Sequence, residues 1–350
     1  MRARSAFVLI VICAAIAAYF ADRHGPLTGV GPDQGGGGTT DSGPAHFDSI
    51  SPDLVFVNST LGEQQEQAAG TGVVLTSTGQ VLTNNHVIEG ATAIQVIDVG
   101  NGRTYTATVT GYDRSHDVAL LQLQAAQGLA VAPLDTSTQP SLGQQVAAVG
   151  NAGGTGSLTT AAGTITALNQ SITASDQASG SSEQLTGLIQ VKANVRPGDS
   201  GGPLVTAAGK VIGITTAAGS TYQFRGGSST AGFAIPITAA LPIGKQIAAG
   251  TSSATVHIGP TAQLGVAVDS ASSASGAAVI DVLPGEPAQA AGLTAGDVIT
   301  SLGGAPVDSP NTLVALIDRD HPGQSVMVGW TDQFGQTRTA PVTLGTGPAG

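Results

Sequence analysis

Gly198-Asp199-Ser200-Gly201-Gly202-Pro203-Leu204-Val205-Thr206 sets a serine among glycines, and the residues around it decide the fold. Read as G-x-S-x-G, the run would be a nucleophile elbow, which needs a helix directly after the serine and an acid and a histidine later in the chain. The residues after the serine read otherwise. Pro203 to Thr206, a turn at Ala208-Gly209 and then Lys210 to Thr215 have the pattern of a β-hairpin, and the later histidines, His257 and His321, fall in or beside a different domain. The stretch predicts β-structure around Ser200 rather than α/β layers.

Two candidate partners precede the serine. His86 stands in Thr83-Asn84-Asn85-His86-Val87 and Asp117 in His116-Asp117-Val118-Ala119-Leu120-Leu121, so the order is His, Asp, Ser. The chemistry explains the combination. A serine hydroxyl attacks a carbonyl only if a neighbouring base takes its proton, and a carboxylate behind an imidazole holds the right tautomer and stabilises the imidazolium. A histidine base also implies a rate that rises with pH as the imidazole loses its proton. The loop Gly198, Asp199, Ser200 forms the candidate oxyanion hole, with the amides of Gly198 and Ser200 as donors; the glycines open backbone conformations closed to other residues.

Outward from this loop, short β-rich stretches recur between Ile50 and Ile237: Thr71 to Thr76, Ala93 to Val99, Thr104 to Thr110, Val118 to Leu123, Val146 to Val149, Gly163 to Leu168, Leu188 to Val191, Lys210 to Ala217 and Ala231 to Ile235. Gly, Asn, Asp and Pro separate most of them, the pattern of an all-β barrel or sandwich. A helix is predicted around Thr238 to Ala249, followed by a short linker at Thr251 to Ala254. Farther on, Pro287-Ala288-Gln289-Ala290-Ala291-Gly292-Leu293-Thr294-Ala295-Gly296-Asp297-Val298-Ile299 fits A-x-x-A-G-L-x-x-G-D-x-I. Ser309 caps a helix with Pro310 at its first position, running through about Arg319.

On these motifs the chain resembles the HtrA (Deg) proteases of bacteria, which join a trypsin-like domain to a C-terminal PDZ domain. The resemblance implies an all-β-dominated chain, a chymotrypsin-like double β-barrel followed by a small α+β PDZ domain. His86 and Asp117 would come from the first barrel and Ser200 from the second. It divides the chain into a signal peptide or membrane anchor over 1–24, a flexible spacer over 25–45, a protease domain over 46–250, a linker over 251–260 and a PDZ domain over 261–346. Asn194, six residues before Ser200, would floor the primary specificity pocket, with Thr215, Thr216, Ala217 and Phe233 as walls. An uncharged floor favours small or medium aliphatic side chains beside the scissile bond. In the PDZ domain, Leu264, Gly265 and Val266 would receive a terminal carboxylate on backbone amides. Leu313 and Leu316 would face the peptide, which adds as a strand. Peptide binding there would order the oxyanion loop, with Gln170 to Gln184 as the relay; the alternative is that the PDZ domain merely tethers substrate.

Composition narrows the partners. Of 350 residues 10% are charged and the net charge is -11, which argues against nucleic acid, since phosphate binding needs clustered cations. No metal or cofactor spacing occurs: His24, His46, His116, His257 and His321 are scattered, and Asn151 to Gly156 is Gly-rich without the Lys-Ser/Thr of a phosphate loop, reading as a surface turn. Arg2 and Arg4 before the apolar run Ala6 to Ala21 predict export, with the segment either retained as a membrane anchor or cleaved after Ala17. The one cysteine, Cys13, lies inside that run, so the exported part folds without a disulfide. The resemblance implies as partners unfolded polypeptides, peptide C-termini and further copies of the chain in a trimer. The expected activity is a serine endopeptidase of the cell envelope; a chaperone-like peptide-binding scaffold is the alternative.

Overall fold

The computed structural model describes residues 53–61, 66–175, 182–218, 231–269 and 275–350. The predicted N-terminal segment 1–24 and spacer 25–45 lie outside the described residues. β1 (Leu54–Leu61), β2 (Glu66–Val74), β3 (Gln80–Thr83), β4 (Ala93–Asp98), β5 (Thr104–Asp113) and β6 (Val118–Leu123) close into a first barrel, in the order β5-β4-β1-β2-β3-β6 with β6 returning to β5. β7 (Gln145–Gly150), β8 (Thr159–Ser175), β9 (Ser182–Lys192), β10 (Pro203–Thr206), β11 (Val211–Ala218) and β12 (Ala231–Pro236) close into a second, in the order β10-β11-β12-β9-β8-β7. The residues after Ser200 form a hairpin, with Pro203 opposite Ile214 and Leu204 opposite Gly213. This is the double barrel that the resemblance implies.

Side-chain alternation explains most of these strands. In β4, Ile94 and Val96 point into the barrel while Ala93 and Gln95 face out. β1 is buried along nearly its whole length, so it lacks that alternation. β8 and β9 run longer than predicted because bulges at Ile165/Ala167, Ala167/Gln170 and Gln170/Ile172 break the period while pairing continues. One core cluster joins the barrels: Leu54, Leu82 and Leu120 of the first pack with Val149, Val205 and Ile214 of the second. Among the described residues two α-helices belong to this body, α1 (Asn85–Ile88) and α2 (Ile237–Ala248), and α2 sends Ile237, Ala240 and Ile247 into the shared cluster.

The C-terminal domain has its own core around Val266, Ile299, Leu313, Val328 and Trp330. Before it comes β13 (Val256–Ile258), and within it β14 (Ala262–Gln263), β15 (Val266–Val268), β16 (Ala277–Val282), α3 (Pro287–Ala291), β17 (Val298–Leu302), β18 (Ala305–Pro306), α4 (Pro310–Ile317), β19 (Ser325–Thr331), β20 (Thr337–Thr343) and β21 (Gly345–Thr346). Ser309 caps α4 by accepting from the Thr312 amide, as predicted, and the helix stops at Ile317, two residues short of Arg319.

The predicted linker over 251–260 is corrected. Its residues Val256, His257 and Ile258 form β13, which pairs antiparallel with Asp113, Tyr112 and Gly111 of β5 and extends the first barrel's sheet. The His257 ring stacks on Tyr112 with 5.0 Å between centroids, and its Nδ1 lies 2.6 Å from Asp318 O at the end of α4. The Asp318 carboxylate accepts from Tyr112 Oη at 2.9 Å and pairs with Arg114 at 2.7 Å. The last residues add a second tie: Ala349 donates to Ala91 O at 2.9 Å and accepts from the Gly90 amide at 2.7 Å. These contacts converge on Tyr112, Arg114 and the turn after α1. The predicted relay, Gln170 to Gln184, lies partly outside the described residues.

Candidate active site

His86 enters on α1, just after β3 ends at Thr83, and Asp117 follows a 3-10 turn over Arg114–His116. Asp117 has φ 53 and ψ 48, the left-handed region that short polar side chains tolerate. The turn swings its buried carboxylate onto His86. Asp117 Oδ1 accepts from the His86 backbone amide at 3.0 Å, while His86 Nδ1 lies 3.0 Å from Oδ1 and 2.9 Å from Oδ2. Thr216 Oγ1 donates to the same carboxylate. A carboxylate against Nδ1 keeps the proton there and leaves Nε2 as the base.

The nucleophile loop is tied to the first barrel. Thr71 N donates to Ser200 O at 2.8 Å, and Gly201 N donates to Asn84 Oδ1 at 2.7 Å and to Thr215 O at 2.8 Å. Gly201 has φ +82, and a Cβ there would overlap Thr71 O and Thr83 Oγ1, so only glycine fits. Ser200 is half-buried, with Oγ 3.5 Å from Thr216 O. Sequence reading missed Thr71, Asn84 and Thr159 as parts of this site and named Thr216 only as a wall of the specificity pocket; its hydroxyl bonds the Asp117 carboxylate.

Of the predicted oxyanion loop, Asp199 N donates to Arg196 O at 3.0 Å and is engaged within the turn. The amides of Gly198 and Ser200 have no hydrogen-bond partner among the described residues. Pro197 O accepts from Gly153 N at 2.7 Å, and Gly198 O accepts from Thr71 Oγ1 at 2.8 Å. N–H and C=O point opposite ways across a trans peptide, so fixing Pro197 O against Gly153 turns the Gly198 N–H to the other side. Gly153 to Gly156 are exposed, as a surface turn would be, but Asn151 at its start is buried and its carbonyl fills the space where a Cβ on Gly198 would go.

Asp199 itself is buried, its Oδ2 accepting from Arg196 N at 2.9 Å and its Oδ1 from Thr159 Oγ1 at 3.2 Å. Burial pushes its carboxyl above the usual range, against the pull of the Arg196 amide, the Thr159 hydroxyl and the Arg196 charge. A raised carboxyl holds its proton longer in the fold than in the unfolded chain, so stability falls as pH rises through the folded value. Asp199→Asn keeps an acceptor and removes the charge. Its melting temperature relative to wild type should climb between pH 4 and pH 7; a difference constant across those melts would count against this account.

The remaining predicted residues divide. Thr215 is buried in β11 and donates its amide to Gly202 O at 2.8 Å. Phe233 is buried in β12, opposite Ala217 in the backbone register. Asn194 is exposed, and its amide oxygen accepts from Arg196 Nη2 at 2.8 Å and Nε at 3.2 Å. In the C-terminal domain Leu264, Gly265, Val266 and Leu313 line one cavity of about 60 Å³. From α4 that lining takes Ile317 beside Leu313, at the i, i+4 spacing of one helix face; Leu316 packs against the domain core instead. Arg114 of the first barrel and Pro348 to Gly350 close the cavity's other side.

Comparison with known proteins bears on both units. Residues 70–214 match the model of the trypsin-like peptidase domain, and residues 262–332 that of the PDZ domain. The serine protease PepD of Mycobacterium tuberculosis is 33% identical over 309 residues, covering 85% of this chain and 64% of PepD. Protease Do-like 1, chloroplastic, of Arabidopsis thaliana is 30% identical, covering 81% of this chain and 67% of its own length. The periplasmic pH-dependent serine endoprotease DegQ of Escherichia coli is 35% identical, covering 83% and 63%. The chain thus spans about two thirds of the length of these curated relatives.

Proposed function

Because this chain belongs to the HtrA family of serine proteases, we propose that it is a serine endopeptidase acting on unfolded or damaged polypeptides in the cell envelope, with a PDZ domain that binds peptide C-termini. The observation that carries the reading is the grip of the Asp117 carboxylate on His86, made in the same site where Ser200 and Gly201 are bonded to the first barrel. In this mechanism Ser200 Oγ bonds to the substrate carbonyl carbon as His86 Nε2 takes its proton. The amides of Gly198 and Ser200 receive the oxyanion, and His86 returns the proton to the leaving amine; water then releases the acyl group by the same route. Export, membrane attachment through residues 1–24 and assembly into a trimer are part of this proposal. Export is supported by the periplasmic location in the name of DegQ.

A fluorophosphonate probe tests it, since only an activated serine reacts. Labelling should reach one probe per chain, map to Ser200 and stop casein digestion. A chain that binds unfolded casein but takes no label would be a scaffold instead.

Specificity follows from Asn194. Its amide carries no charge to pair with a substrate cation, and the Arg196 guanidinium beside it repels one. Cleavage sites mapped by mass spectrometry should show Ala, Val or Leu before the cut and few Lys or Arg. A basic preference would rule out this pocket.

A further inference from the structure

Asn84 occupies the N-cap of α1 with the extended backbone of a cap, φ -84 and ψ 153, yet its side chain makes no capping bond. Asparagine at this position ordinarily accepts from the first turn of its own helix. Here the amide is turned away and spans two distant parts of the chain. Its Nδ2 donates to Asp117 O at 2.8 Å, and its Oδ1 accepts from Gly201 N at 2.7 Å. The side chain is fully buried, so neither bond competes with water.

We propose that Asn84 is a positioning residue of the catalytic site, a rigid spacer that sets the first barrel's acid against the second barrel's nucleophile. The inference rests on the protease reading above. Only a side chain with a donor and an acceptor at fixed separation can do this. Aspartate has the same shape but no donor, and would set a carboxylate oxygen against Asp117 O; alanine strips Asp117 O of its Asn84 donor and leaves Gly201 N held by Thr215 O alone, so nothing ties the two backbone groups to each other. Each end of the bridge lies in or beside a residue of the triad: Asp117 carries the carboxylate on His86, and Gly201 follows Ser200. Asp117 also holds a left-handed backbone conformation, costly for a residue other than glycine, that neighbouring contacts must maintain. Losing the bridge lets Ser200 drift against His86, and a misplacement of about 1 Å at a reacting pair costs on the order of 10²-fold in rate.

The test compares wild type, Asn84→Ala, Asn84→Asp and a remote core variant, Val57→Ala, in the full chain well below their melting temperatures. Asn84→Ala should lose about 10²-fold in kcat on a short peptide, with KM unchanged and a matching loss in fluorophosphonate labelling rate per folded molecule. Asn84→Asp keeps the Gly201 acceptor and should fall between wild type and alanine. Val57→Ala should lower the melting temperature alone. If Asn84→Ala does not fold, the isosteric aspartate decides: a reduced kcat supports the role and a wild-type kcat overturns it. A labelled wild type beside an Asn84→Ala of equal kcat and labelling rate overturns the role of Asn84 only. An unlabelled wild type overturns it together with the protease reading.

Discussion

Ser200→Ala should cut the rate of casein digestion by at least about 10⁴-fold while the melting temperature stays near that of wild type. The covalent step needs the serine oxygen, and what alanine leaves in place is binding and the amides of the oxyanion loop. The fold should survive because Ser200 is held through its backbone: its carbonyl accepts from Thr71 N and its neighbour Gly201 donates to Thr215 O and Asn84. The hydroxyl makes one long contact, 3.5 Å to Thr216 O. Purified variant and wild type assayed side by side on casein, with melts on the same samples, provide the check. Residual digestion above about one part in 10³ would move the nucleophile elsewhere.

Asp117→Asn should lose about 10⁴-fold in kcat with little change in KM. The wild-type carboxylate receives the His86 backbone amide, its Nδ1 and the Thr216 hydroxyl, and it can do so because all four of its lone-pair sites accept. An asparagine accepts on one atom only. If its NH₂ faces Nδ1, the imidazole must carry its proton on Nε2, the nitrogen that has to receive the proton of Ser200. Turnover of a short peptide at neutral pH reads the loss, and a variant within tenfold of wild type would show that the carboxylate does not set the tautomer.

The parts of the site that were legible in sequence are those written in short local runs. His86, Asp117 and Ser200 each sit in a few residues whose types announce a role, and the glycines at 198 and 201 announce the backbone they need. Thr71, Asn84, Thr159 and Thr216 carry no such mark. Their partners lie far along the chain, as with Thr71 and Gly198 or Asn84 and Gly201, and closing the barrels is what brings them together. Asn84 was hidden further by its place at a helix start, where asparagine needs no other explanation. In the fold, strands with one face inward could be read from alternation, while β1, buried on both faces, could not. β13 is three residues of Val-His-Ile in a Ser/Thr-rich stretch, too short for a periodic signal against neighbours typical of a linker.

That short strand changes where the molecule can be divided. A protease unit trimmed at residue 250 would keep both barrels and every residue of the candidate site, yet it would strip the cover from Gly111, Tyr112 and Asp113. With β6 still paired on one side, the amides and carbonyls that faced β13 would become a bare sheet edge, and a bare edge recruits strands from other molecules. A fragment that keeps this edge covered therefore runs at least through Ile258, with Tyr112 still shielded by His257. In this chain the boundary between modules and the boundary between folding units fall at different residues, and fusions or domain exchanges built on the first would begin with a sticky seam.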